Sequence, residues 1–118
     1  GDVFGGDMCI FCRIVKGEIP AEKVYEDDQI LGFKDVNPVA PLHLLFIPKK
    51  HVVNVFDASE EPGLMESLFS AIRKYRDQEE LEVEGVRVVT NAGESAGQSV
   101  FHFHVHVLSG RRLHWPPG

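Results

Sequence analysis

The chain has 118 residues, 43% hydrophobic and 25% charged, the proportions of one ordinary globular domain able to bury a core of its own. Its formal net charge of −6 leaves no basic surplus to neutralise a nucleic-acid backbone or an anionic membrane, although a small phosphate ligand needs only local donors. With no apolar run of membrane-spanning length and no basic-plus-apolar leader, a cytoplasmic location is expected.

Residues 1–8, which include Gly1, Gly5 and Gly6, are expected to be a flexible arm or an expression remnant, and 9–118 a single domain ending in a tail over 109–118. Ile10, Ile14 and Val15 fall at i, i+4 and i+5, which predicts a short amphipathic helix over 9–18, ended by Gly17. Ile19-Pro20 then forces an extended exit. Lys23–Glu26 and Ile30–Phe33 flank the polar turn Asp27-Asp28 and read as a hairpin. Asn37-Pro38 and Ala40-Pro41 mark a loop, and Leu42–Ile47 is a buried strand stopped by Pro48. The longest helix is expected over 59–78. Ser59 would cap it, Glu60 and Glu61 suit its N-terminal dipole, and Pro62 fits its first turn. Its apolar stripe is Leu64, Met65, Leu68, Phe69, Ile72 and Tyr75. Glu79–Glu84 reads as a solvated turn, Gly85–Thr90 as a strand, and Asn91 to Ser99 as a loop of small and polar residues. This order predicts an α+β domain with helices on one side of an antiparallel sheet of about five strands plus an N-terminal hairpin.

The last strand carries the chemistry. In His102-Phe103-His104-Val105-His106-Val107-Leu108, half of the chain's six histidines alternate with apolar residues. On a strand they would share one face with neighbouring imidazoles roughly 7 Å apart, while Phe103, Val105 and Val107 take the other. Such a face suits either a metal or a phosphate. The preceding loop, Gly93-Glu94-Ser95-Ala96-Gly97-Gln98-Ser99, offers glycines for close backbone approach, an amide and a hydroxyl, the composition of an anion-binding concavity. Together they favour phosphate. The only cysteines, Cys9 and Cys12, form a C-x-x-C pair, which reads as half of a metal site or as a redox pair, the plainer alternative being two buried reduced thiols.

Gly97-Gln98-Ser99-Val100-Phe101 followed by the histidine strand resembles the histidine triad signature, His-φ-His-φ-His-φ-φ with φ apolar. Ile19-Pro20-Ala21, Phe33-Lys34-Asp35-Val36-Asn37-Pro38, Ala40-Pro41-Leu42-His43, Ile47-Pro48-Lys49-Lys50-His51 and the tail His114-Trp115-Pro116-Pro117-Gly118 extend the resemblance to the histidine triad nucleotide-binding proteins, the purine nucleoside phosphoramidase branch. The resemblance implies a histidine triad fold whose sheet continues across a homodimer. It implies a hydrolase that cleaves the P–N bond of purine nucleoside 5′-phosphoramidates, with no cofactor required for catalysis. His104 would be the nucleophile, forming a nucleotidyl-histidine; His106 and His102 would support the phosphate, Ser99 would assist the leaving amine, and His43 would belong to the same network. Asp35, with Val36 beside it, would hold the ribose. Ile10, Phe11, Ile14 and Leu45 would wall the purine pocket, and Asn91, Gly97 and Gln98 would line the phosphate site. Trp115 would reach the partner's site. Some bacterial members carry the cysteine pair and bind zinc with it, which implies a structural Cys₂His₂ set of Cys9, Cys12, His51 and His102. Two other functions stay open: a dinucleoside polyphosphate hydrolase, and a non-catalytic nucleotide-binding or scaffold module. The third histidine, where uridylyl-transferring relatives have glutamine, points to hydrolysis.

Overall fold

A computed structural model describes residues 8–118. All of the expected N-terminal arm except Met8 lies outside the described residues. Helix α1 spans Ile10–Val15, followed by strands β1 (Lys23–Glu26), β2 (Ile30–Lys34) and β3 (Leu42–Pro48), helices α2 (Val55–Ser59) and α3 (Leu64–Gln78), and strands β4 (Arg87–Val89) and β5 (Val105–Ser109). The strands form one five-stranded sheet in the order β1-β2-β3-β5-β4, antiparallel at each pairing, so the hairpin supplies two of the five. Among the described residues, no helix is long and apolar enough to cross a membrane.

The two central strands explain the layering. β2 and β3 are apolar almost throughout and buried along nearly their whole length, which requires cover on both faces. Alternation splits them: Ile30, Leu44 and Phe46 join α2, α3, Phe103, Val105 and Val107 on one face, whereas Leu31, Phe33, Leu45 and Ile47 pack with Cys9, Phe11, Cys12 and Ile14 of the α1 segment on the other. The expectation of helices on one side is therefore corrected: α1 covers the second face. Gly32, paired with Phe46 across the ladder, leaves room for that ring on the first face, where an added Cβ would lie 2.9 Å from it.

The long helix expected over 59–78 begins later, as α3 at Leu64, and a separate short helix, α2, precedes it. Asn54 caps α2, its Oδ1 accepting the Phe56 and Asp57 amides at 2.9 and 3.2 Å. Ser59 closes that helix instead of opening the next one, its hydroxyl donating to the Phe56 carbonyl at 2.6 Å. Gly63, at φ +76°, turns the chain into α3 through a conformation that side-chain-bearing residues avoid. The buried stripe of α3 is Leu64, Leu68, Ala71, Ile72 and Tyr75; Phe69 stays 43% exposed. The histidine strand is also shorter than expected. β5 begins at Val105, so only His106 lies on a regular strand, and His102 and His104 sit on the irregular segment leading into it.

Candidate active site

The site-bearing face is the α1 face. Register places His43 of β3 opposite Leu108 and Leu45 opposite His106 of β5. His43, Leu45 and Ile47 thus share a face with His106, and the short α1 lies across it. Between them opens a cavity of about 410 Å³, within the range for a nucleotide-sized ligand. One end is apolar, walled by Ile10, Phe11 and Ile14 of α1 together with Leu45. Phe33, Ile19, Pro20 and Ala21 complete that wall. The other end carries Asp35, Asn37, Asn91, Ser99, His104 and His106, with Val36 and Gly97 at the margin.

Hydrogen bonds assign the ring protons. The Val39 amide donates to His43 Nδ1 at 3.1 Å, which places the His43 proton on Nε2. That N–H lies 2.9 Å from His106 Nδ1 and donates to it, so His106 carries its own proton on Nε2, the nitrogen left for the cavity. His104 has the opposite arrangement. Its Nδ1 donates to the His102 carbonyl at 2.7 Å, leaving a lone pair on Nε2. Thr90 fixes the same residue from behind, its hydroxyl donating to the His104 carbonyl at 2.7 Å. The His104 and His106 rings are 5.2 Å apart between centroids, nearer than the spacing of an ideal strand. Burial pushes the His104 pKa down from the usual histidine value. Burial, with the neighbouring His104 and His43, pushes His106 down to about 4. Both rings are therefore neutral near pH 7: one presents a lone pair to the cavity and the other an N–H.

His102 does not join them. Its Nε2 donates to the Pro48 carbonyl at 2.8 Å and its Nδ1 faces the cysteines, so both ring nitrogens are taken up away from the cavity. The expectation of a catalytic His102 ring is corrected: what it contributes to the site is its backbone carbonyl. Gln98 is corrected as well. Its amide lies inside the protein, with Nε2 donating to the Val53 and Val100 carbonyls at 2.7 and 3.1 Å and Oε1 accepting the Gly93 amide at 2.9 Å. The loop it clamps uses its own amides similarly. Ala96 and Gln98 donate to the Gly93 carbonyl and Gly97 to the Glu94 carbonyl, so these N–H groups are not the expected anion concavity. Trp115 is 79% exposed, with the Arg87 guanidinium 6.0 Å from its ring centroid, and is not part of the cavity wall of its own chain.

Cys9, Cys12, His51 and His102 bring one ligand atom each within 4.8 Å of one another. Cys9 also caps α1, its sulfur accepting the Cys12 amide at 3.3 Å. Tetrahedral zinc, with sulfur at about 2.3 Å and nitrogen at about 2.0–2.1 Å, sets S···N edges of about 3.5 Å and an N···N edge of about 3.4 Å. The edges here are 3.3 Å for Cys9 Sγ to His102 Nδ1, 3.4 Å for Cys12 Sγ to His51 Nδ1, 3.5 Å for Cys12 Sγ to His102 Nδ1 and 3.2 Å between the two Nδ1 atoms. The Pro48 carbonyl fixes the His102 tautomer with the lone pair on Nδ1, and burial holds that ring neutral, with its pKa pushed down to about 4. Donor set, edges and tautomer all fit a closed structural zinc site.

Sequence reasoning missed several contributors. Phe33 was accessible by alternation from Leu31. The Val39 amide and the carbonyls of Pro48 and His102 were not, because any residue type supplies a backbone group.

The HIT domain family matches residues 16–113. An uncharacterized HIT-like protein of Synechococcus elongatus is 47% identical over 110 residues, 92% of this chain and 96% of that protein. Among solved structures, a HIT family hydrolase from Legionella pneumophila superposes with a TM-score of 0.88 at 44% identity, covering 93% of this chain and 99% of that one. A histidine triad nucleotide-binding protein from Candida albicans superposes with a TM-score of 0.80 at 32% identity, covering 92% and 82%. With the family match spanning most of the chain and this cavity at its centre, the chain belongs to the HIT domain family.

Proposed function

We propose that this chain is a nucleotide-binding hydrolase that cleaves the P–N bond of purine nucleoside 5′-phosphoramidates. The carrying observation is the opposed proton arrangement of two neutral histidines at the polar end of a nucleotide-sized cavity: a lone pair on His104 Nε2 and an N–H on His106 Nε2. The apolar end suits a purine, and the Asp35 carboxylate on the cavity wall suits the hydroxyls of a ribose. The hydrolase and nucleotide-binding names carried by the Legionella and Candida relatives agree with this class of activity.

In the proposed reaction His104 Nε2 attacks the α-phosphorus and the P–N bond breaks. The departing nitrogen takes a proton from the Ser99 hydroxyl, which lines the cavity with His104 and His106 and regains a proton from the water that attacks next. The His106 N–H donates to a phosphoryl oxygen as negative charge grows there. Water then attacks the nucleotidyl-histidine, releasing the nucleoside monophosphate and restoring His104. Covalent catalysis thereby divides one difficult displacement into two easier ones.

We propose in addition that Cys9, Cys12, His51 and His102 hold a structural zinc, which ties α1 to the loops following β3 and preceding β5. The proposed assembly is a homodimer. β4 stands at a sheet edge with Val88 42% exposed, and Trp115 projects outward beside it, which supports continuation of the sheet into a second copy. Incubation with an adenosine 5′-phosphoramidate, followed by quantification of AMP and free amine, tests the activity. Absence of turnover by folded wild-type protein that still binds AMP would leave the non-catalytic nucleotide-binding reading in its place.

A further inference from the structure

Asp35 reaches two partners besides the space for a sugar. Its Oδ1 accepts the Asn37 amide at 2.8 Å, which pins the carboxylate at the end of the cavity wall. Its Oδ2 lies 3.3 Å from His43 Nε2, with the two side chains only 16% and 5% exposed. The same His43 N–H faces His106 Nδ1 at 2.9 Å, and the ligand atoms of Asp35, His43 and His106 lie within 4.8 Å of one another. His43 has only this one proton to offer, because its other nitrogen accepts the Val39 amide. That one N–H is hydrogen-bonded to the imidazole, with the carboxylate at 3.3 Å beside it as a competing acceptor.

We propose that Asp35 is a positioning residue for His106: when a ribose hydroxyl donates to the Asp35 carboxylate, the His43 N–H is released to His106, so sugar recognition sets the proton arrangement of the phosphate-binding histidine. This rests on the nucleotide reading of the same cavity. Without the hydroxyl, the carboxylate competes for the His43 N–H, and the bond from His43 that keeps the His106 proton on Nε2 is only partly populated. With it, the hydroxyl takes up the carboxylate lone pair, and His106 is held in the form that donates to a phosphoryl oxygen. The step moves hydrogen bonds only. A carboxylate that merely anchored the sugar would act on ground state and transition state alike and would change KM alone.

The test compares adenosine 5′-phosphoramidate with its 2′,3′-dideoxy analogue, in wild type and in Asp35→Asn, which keeps an oxygen for the Asn37 amide. The expected wild-type result is a kcat lower by about tenfold for the dideoxy substrate, the worth of one well-placed hydrogen bond, beyond any rise in KM. In Asp35→Asn, kcat should no longer depend on the sugar hydroxyls. The second readout needs no turnover: nitrogen-15 spectra of the histidine rings with saturating AMP or 2′,3′-dideoxy-AMP. The His106 signals should show a fixed Nε2–H tautomer with AMP and a mixed population with the dideoxy nucleotide. Identical His106 signals with both nucleotides, or a dideoxy effect confined to KM, overturn the proposal. Failure of the reaction reading is distinguishable, since wild-type protein would then bind AMP and shift its histidine signals without hydrolysing either substrate. AMP that shifts no histidine signal overturns both.

Discussion

Removing the proposed zinc from the Cys₂His₂ cluster should loosen the protein and its base pocket together. The four ligand atoms already stand at edges of 3.2 to 3.5 Å where contacts are defined, so binding demands little rearrangement and the metal acts on the folded state almost alone. A ligand present at a thousand times its dissociation constant stabilises by about 4 kcal/mol, which for a domain of this size raises Tm by about 16 °C at roughly 4 °C per kcal/mol. Cys9 and Cys12 sit on the cluster side of α1, while Ile10, Phe11 and Ile14 of the same helix wall the cavity. Freeing the helix end should therefore raise KM for the nucleotide more than it lowers kcat, because His43 and His106 lie on β3 and β5. The assay combines elemental analysis of protein purified without chelator, thermal unfolding before and after zinc removal, and steady-state kinetics on both forms. One zinc per chain, a Tm drop of this order and its near-abolition in Cys12→Ser are expected. Protein that carries no zinc, takes none up on titration and melts at the same temperature in Cys12→Ser would refute the clamp.

Three further outcomes follow from the site. His104→Ala should reduce kcat for an adenosine phosphoramidate by at least about a thousandfold, as loss of a nucleophile does, while calorimetry finds AMP affinity within about threefold of wild type; appreciable residual turnover would remove His104 from the nucleophile's role. Gln98→Ala strands the Gly93 amide and the Val53 and Val100 carbonyls, and should cost about 1–3 kcal/mol in urea unfolding and raise KM, because the loop it clamps carries Gly97 and Ser99; unchanged stability would show that water satisfies these groups. Burial holds His106 at a pKa of about 4 against an ordinary 6.5, so the unfolded chain binds the proton first, and stability should fall as pH drops through the window from 6.5 to 4. Comparing Tm at pH 7 and pH 5 in wild type and in His106→Asn isolates this contribution, and equal losses in both would contradict it.

The parts of this fold that could be read in advance were those written in side-chain periodicity. The alternation of Leu31, Phe33, Leu45 and Ile47 against Ile30, Leu44 and Phe46 is visible in the sequence, and so is the short stripe of α1. Placing α1 on the second face needed one further step, since strands apolar at every position demand cover on both sides. The start of α3 is not legible in the sequence, because Ser59, Glu60, Glu61 and Pro62 form a plausible helix opening. Asn54, a better-placed cap, claims the preceding turn, and Gly63 supplies the left-handed turn that separates the two helices. Residue types cannot rank two competing caps five residues apart; the packing of Ala58 and Leu64 into one core does.

The histidine motif shows a different limit. Equal spacing on paper suggested three equivalent rings on one strand face, but a ring's chemistry depends on what its second nitrogen meets. The Val39 amide, a backbone group that any residue could supply, orients His43 and through it His106. The His102 carbonyl orients His104, whereas the His102 ring turns to the cysteines. Two members of the triad are thus set in opposite tautomers by backbone atoms, and the third supports the site through its main chain alone. A motif reading names the residues that can do the chemistry. Which nitrogen carries the proton, and hence which histidine attacks and which donates, is decided by the strand register and loop carbonyls around them, and that is where mutations distant from the motif should alter activity.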